Sequence, residues 1–283
     1  MKPSGAEGRT LRNVAIFSAA ALSCGWLGRL VDLKAESDAG GSLGQLIWIV
    51  VPLLTMTILR TRAGDGWKDF GLRPRMKGNG FPYAVSLLFF PVLAALVAGA
   101  GALLGWADVS GPASSLIAGV FAALLPQFVK NLFEEFAWRG YMAPRLLGLG
   151  YPRIAVHVAV GLVWGAWHIP YLHLFFDTGE SLATFIPRMM IGVVAMAVLY
   201  GEIRLATGSV WPAVLMHTAG NAVVNTLVLD RYFVAREGYG WIAAPSPEGL
   251  LAIALTGLAG LWMYKRAGAK RRKSNRTIGE PKG

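Results

Sequence analysis

Residues 114–138 read SSLIAGVFAALLPQFVKNLFEEFAW. The run is mostly apolar, yet Glu134 and Glu135 stand side by side near its end, with Arg139 close behind. It is long enough to cross a bilayer, which takes about 20 apolar residues. Carboxylates inside hydrocarbon are costly, however, so each needs a partner or a role. Whether this segment belongs to a soluble core or to a membrane decides the fold. The rest of the chain answers that question. Its 283 residues are 54% hydrophobic and only 15% charged, with a mean hydropathy of +0.49. A soluble domain carries about 25% charged residues. Further apolar runs of spanning length lie at roughly 13–31, 44–60, 81–104, 153–171, 184–203, 209–229 and 248–265. Together they predict an all-α polytopic bundle of about eight transmembrane helices. Residues 1–283 form one domain in this reading, with a helical core over 13–265 and a basic cytoplasmic tail over 266–283 that is expected to be disordered. The first span is the weakest, because it holds Gly25, Gly28 and Arg29. Arg29 lies near its end and can snorkel toward headgroups.

The net charge is +11, which alone would suit nucleic acid. Its distribution argues otherwise. Basic residues sit between the apolar runs and in the tail, KRAGAKRRKSNR from Lys265 to Arg276. With the N-terminus inside, most of them fall on the inner side: Lys2, Arg9 and Arg12; the six from Arg60 to Lys77; Arg139, Arg145, Arg153 and Arg204; and the tail. The outer loops hold only Lys34, Arg231 and Arg236, with Arg188 near a boundary. This is the positive-inside pattern. It predicts an integral protein of a bacterial plasma membrane with both termini cytoplasmic, touching anionic lipid and not nucleic acid. The loop RTRAGDGWKDFGLRPRMKG, from Arg60 to Gly78, reads either as a plain cytoplasmic loop or as an interfacial segment carrying Trp67, Phe70 and Leu72. The single cysteine, Cys24, excludes an intramolecular disulfide and a thiolate cluster. It reads as a small core residue.

The candidate ionisable residues in or beside the spans are Glu134, Glu135, Arg139, His157, His168 and His217, with Asn221 as a neutral polar companion. On a helix Glu135 and Arg139 share a face, being four apart, while Glu134 points away. Glu135 is thus the carboxylate that Arg139 can neutralise, and Glu134 the one left for chemistry. This segment alone leaves open whether the three charges are reactive or structural. Their depth adds a clue. Glu134 precedes Tyr151, the centre of the next turn, by as many residues as His168 follows it, so an antiparallel pair brings the two to one height. Trp164 and His168 stack on one helix face, as do His217 and Asn221. Measured from the inner side, His217 is about 12 Å, Asn221 about 18 Å and His168 about 22 Å along its helix. Glu134 is about 25 Å from the inner turn, deep for a cytosolic substrate unless the helix projects beyond the inner face or the site opens through the wall. A carboxylate beside an imidazole can deprotonate water, and an imidazole with an amide can stabilise an oxyanion. That is a set for amide hydrolysis without a Ser or Cys nucleophile. His157 is expected at the interface and His173 in an outer loop. Gly161 and Gly165 form a small-residue pair suited to close helix contact.

Three stretches carry a resemblance. EEFAWRG, from Glu134, resembles the E-E-x-x-x-R motif of the CAAX-protease and bacteriocin-processing family, also called Abi, whose best-known branch is Rce1-like. WGAWH, from Trp164, resembles its F-x-x-x-H motif, with Trp in place of Phe; HTAGN, from His217, resembles H-x-x-x-N. The resemblance implies an intramembrane endopeptidase of the glutamate type. Glu134 would be the general base, His168 would help hold the water, His217 and Asn221 would form the oxyanion site, and Glu135 and Arg139 would support them. It implies a peptide or lipid-modified protein as substrate, with CAAX-type prenyl-protein processing or peptide maturation as the reaction. No cofactor is expected. Zinc stays open as an alternative, with Glu134, His168 and His217 as ligands and water as the fourth. A catalytically silent immunity or scaffold protein is the competing function.

Overall fold

The computed structural model describes residues 5–37, 41–174 and 180–279, the last eleven as backbone only. Most of the basic tail's side chains therefore lie outside the described residues. The chain is almost wholly helical: α1 (Gly5–Lys34), α2 (Leu43–Arg62), α3 (Gly80–Leu103), α4 (Ala113–Ala137), α5 (Ala143–Gly148), α6 (Arg153–His168), α7 (Leu182–Thr207), α8 (Trp211–Leu229), the single turn α9 (Gly240–Ala243) and α10 (Leu250–Gly279). Two short strands, β1 (Ala107–Val109) and β2 (Phe233–Ala235), pair antiparallel, with Asp108 opposite Val234. They clip the α3–α4 connection to the segment after α8.

Among the described residues, seven helices are long and apolar enough to cross a membrane: α1, α2, α3, α4 with its continuation to Gly148, α6 with its following turn, α7 and α8. α10 is the eighth long helix and packs along α7. The protein is an integral membrane helical bundle. The helix that begins with α4 runs 36 residues to Gly148, about 54 Å at 1.5 Å per residue, against a hydrocarbon core of about 30 Å. Its polar C-terminal part therefore projects beyond an apolar slab. α10 likewise continues to Gly279, so the backbone of the tail is helical that far.

Local chemistry sets the boundaries. Ser42 caps α2 by accepting the Gln45 amide at 3.1 Å. Gly208, at φ 64°, ends α7 in the left-handed conformation that glycine adopts without strain. Helices approach where side chains are small. Gly161 faces Val194 and Ala197 of α7, and Gly28 of α1 meets Gly44 of α2 backbone to backbone. Asp32 seals that second contact by accepting from the Gly44 amide and the Ser42 and Tyr171 hydroxyls at 2.7–2.8 Å. Cys24 is buried nearby.

The Arg60–Gly78 loop docks against the bundle. Phe70 is 2% exposed and packs on Gly140 and Phe136, so it belongs to the core and not to a lipid interface. Trp67 and Leu72 do remain exposed. Arg60 and Arg145 both pair with Asp69, Tyr141 donates to Asp65 at 2.7 Å, and Arg204 donates to the Asp69 carbonyl at 2.8 Å. Burial alone would raise the Asp69 carboxyl, but hydrogen bonds from Arg145 and Arg60 hold it below the usual carboxylate range. This network floors the bundle a few turns from the glutamates.

Candidate active site

The two glutamates close α4. The helix continues through a π-helical turn, Trp138–Met142, into α5; such a turn is a register shift that recurs at functional sites. Glu134 and Glu135 are both buried, yet they have different partners. Arg139 Nη1 lies 3.0 Å from Glu135 Oε1, the i,i+4 contact that the spacing predicts. His217 Nδ1 lies 2.9 Å from the same oxygen. Sequence depth had grouped His217 with Glu134, but the contact it makes is with Glu135. Glu134 is not left without a cation either. Lys130, four residues earlier, approaches Oε1 at 3.5 Å. Oε2 accepts the Trp164 indole N–H at 2.9 Å.

α6 delivers Trp164 and His168 from its last turn. His168 Nδ1 is 2.9 Å from the Trp164 carbonyl. A carbonyl can only accept, so Nδ1 carries the proton and Nε2 the lone pair of the neutral ring. By the same reasoning His217 Nδ1 donates to the Glu135 carboxylate. Trp48 and Trp167 lock α2 to α6 through reciprocal indole-to-carbonyl bonds at 2.8 and 3.3 Å, with the rings stacked 4.1 Å apart. The His168 ring packs against the Trp167 indole. On α8, one turn after His217, Asn221 donates to the Asn131 side chain at 3.0 Å. This engages one N–H of the amide and leaves a second.

Lys130, Trp164, His168, His217 and Asn221 all line one cavity of about 70 Å3, room for a few waters. Glu134 and Glu135 stand behind this polar wall. The opposite wall is largely apolar, built from α7, α8 and α10, and is closed by Pro245, Ser246 and Pro247. Pro247 lies so close to α7 that a Cβ on Gly192 would overlap its carbonyl oxygen. Glu248, just behind, accepts a hydrogen bond from Ser246, and burial pushes its carboxyl up to about 6.

Two expectations need correcting. His157 is buried, not interfacial: its Nε2 lies 3.1 Å from Glu202 Oε1, and Arg153 holds the other oxygen at 2.8 Å. The Phe70 interface gives way to core packing, as above. His173 is exposed, in the turn after α6. The site also contains Lys130, which the motifs did not name, and a hydrogen bond from Trp164 to Glu134 that they did not announce. Lys130 could have been found by applying the i,i+4 rule toward the N-terminus, and the Trp164 bond by asking where a buried indole N–H finds an acceptor. Glu134, His168 and His217 do not gather as a metal site. Among the described residues no three of His, Cys, Asp or Glu could hold one ion.

No curated protein matches the chain. Residues 113–223, which run from the start of α4 past Asn221 and so contain Glu134, Glu135, Arg139, Trp164, His168 and His217, match the family described as type II CAAX prenyl endopeptidase Rce1-like. It is over this segment that the chain is similar to that family.

Proposed function

We propose that the protein is an intramembrane endopeptidase that hydrolyses a peptide bond with a water activated by Glu134 and His168. The observation that carries this reading is the convergence of His168, His217 and Asn221 on one cavity, with Glu134 held directly behind its wall. In the proposed reaction, the Glu134 carboxylate takes a proton from a water that also donates to His168 Nε2. The hydroxide attacks the scissile carbonyl carbon, and the C=O becomes an oxyanion. The free N–H of Asn221 and, when it carries a proton, Nε2 of His217 donate to that oxyanion. Glu135, fixed by Arg139, orients the His217 ring through its Nδ1. The proton held by Glu134 then passes to the departing amine as the C–N bond breaks. The low dielectric of the bundle strengthens each of these electrostatic contacts.

In this reading the substrate is a prenylated CAAX-type protein or a membrane-associated peptide, and no metal takes part. The basic loops support an orientation with both termini cytoplasmic. The long α4–α5 helix supports a site within reach of that side. The test is cleavage of fluorogenic peptides, with and without a farnesylated cysteine, by purified protein in liposomes. Glu134→Ala should abolish turnover. Full turnover by that variant would refute the assignment, and a stoichiometric zinc required for activity would refute the metal-free mechanism.

A further inference from the structure

We propose that Trp164 is the positioning residue of this site, its indole N–H fixing the Glu134 carboxylate while its own carbonyl fixes the tautomer of His168. The inference rests on the catalytic roles proposed above, but its central bond can be tested apart from them. The indole nitrogen is a donor only, so the 2.9 Å contact with Glu134 Oε2 has one direction. The carbonyl is an acceptor only, so its 2.9 Å contact with His168 Nδ1 also has one direction. One residue thereby sets the orientation of the proposed base and the nitrogen that its partner presents to water.

The ring itself cannot turn away. Trp164 is 1% exposed. The Arg139 guanidinium lies 4.2 Å from its ring centre, within cation–π range. The His217 ring meets it at 5.3 Å and 78°, edge to face. Gly165, the next residue, faces Met190 of α7 and holds the helix close at this level. Trp164 therefore touches Glu134, Arg139, His168 and His217. A phenylalanine at this position would keep most of the packing and lose the N–H. Glu134 Oε2 would then face no donor, and the Lys130 ammonium near Oε1 would draw the carboxylate toward itself.

The first test is spectroscopic. Protein labelled with 15N-tryptophan should show indole N–H signals for its ten tryptophans. Replacing Trp164 by Phe identifies its signal. Glu134→Gln should move that signal upfield, because a carboxylate acceptor becomes a neutral amide. The signals of Trp48 and Trp167, which donate to carbonyls, should stay in place. If the Trp164 signal does not respond to Glu134→Gln, the proposal is wrong whether or not the protein is a protease. The second test is kinetic, on the farnesylated peptide. Trp164→Phe should lower kcat roughly ten- to a hundredfold, the loss expected for one hydrogen bond to a charged group, with KM nearly unchanged. Benzothienylalanine at position 164, which keeps the ring shape but has sulfur in place of the N–H, should show the same loss; this covers the case where the Phe variant folds poorly. Unchanged kcat in either variant, or an effect on KM alone, would overturn the positioning role. If wild type cleaves none of the peptides, the endopeptidase reading fails and the indole signal still decides the bond.

Discussion

Replacing Glu248 by glutamine should change how stability depends on pH, in a direction that burial fixes. Burial raises this carboxyl from an ordinary 4.5 to about 6; Ser246 and Arg188 pull against that rise, and Glu180 adds to it. Between those two values the folded protein holds a proton that the unfolded chain has released. Stability from this group is therefore complete below about pH 4.5 and is lost as pH rises through about 6. The difference amounts to about 2 kcal/mol. Glutamine cannot ionise, so the variant should gain about 2 kcal/mol relative to wild type between pH 4 and pH 8. Equilibrium unfolding in mixed micelles, followed by tryptophan fluorescence across that range, measures it. Only the difference between the two proteins matters, since other titrations cancel. A difference that is flat with pH, or that favours wild type at pH 8, would refute the account of Glu248 as a buried, poorly compensated acid.

Asp69 should behave in the opposite sense: its carboxyl is held low, so its contribution is present above about 3.8 and is lost as pH falls. Asp69→Asn should accordingly destabilise at neutral pH and lose that effect at acidic pH in the same unfolding assay. Glu135→Gln should cost about 3–5 kcal/mol, because it strands the buried Arg139 guanidinium; Glu135→Gln combined with Arg139→Met should cost less than the two changes summed, and strict additivity in the double-mutant cycle would rule the pairing out. Gly192→Ala should lower the unfolding midpoint by the equivalent of about 1–3 kcal/mol, since its new methyl must displace the Pro247 backbone; an unchanged midpoint would mean that the 245–247 segment is not packed on α7.

The bilayer made much of the fold legible. A crossing segment must be long, apolar and helical, because hydrocarbon leaves backbone polar groups no other partner. Each of the eight expected spans falls on a long helix, with most ends within a few residues; α1 starts eight residues earlier, at Gly5, and α10 runs fourteen residues further, to Gly279. The features that escaped are those where this constraint lapses. The continuation of α4 to Gly148 passes Arg139 and Arg145, so apolar length stops short of it. The docking of Phe70 under Gly140 depends on a glycine surface supplied by a distant helix. The pairing of His157 with Glu202 needed the neighbour of α6 to be known. Nothing local in HVAVG at residues 157–161 announces a carboxylate on α7.

Within the site, height was legible and azimuth was not. Counting residues from a turn gives position along a helix axis to within about 1.5 Å per residue. That is why Glu134, His168, His217 and Asn221 could be assigned to one layer from spacing. Which face each helix turns to its neighbours depends on packing, and a π-helical turn shifts that face without leaving a mark in hydropathy. His217 therefore went to Glu134 on height alone, whereas the packing of α8 against α4 brings it to Glu135. The same limit applies to Trp164. Its four-residue spacing to His168 showed a shared face, but only the crossing of α6 and α4 aims the indole N–H at Glu134. A buried indole N–H still has to find an acceptor. In a layer containing a carboxylate with no donor assigned to it, that requirement alone would have paired the two.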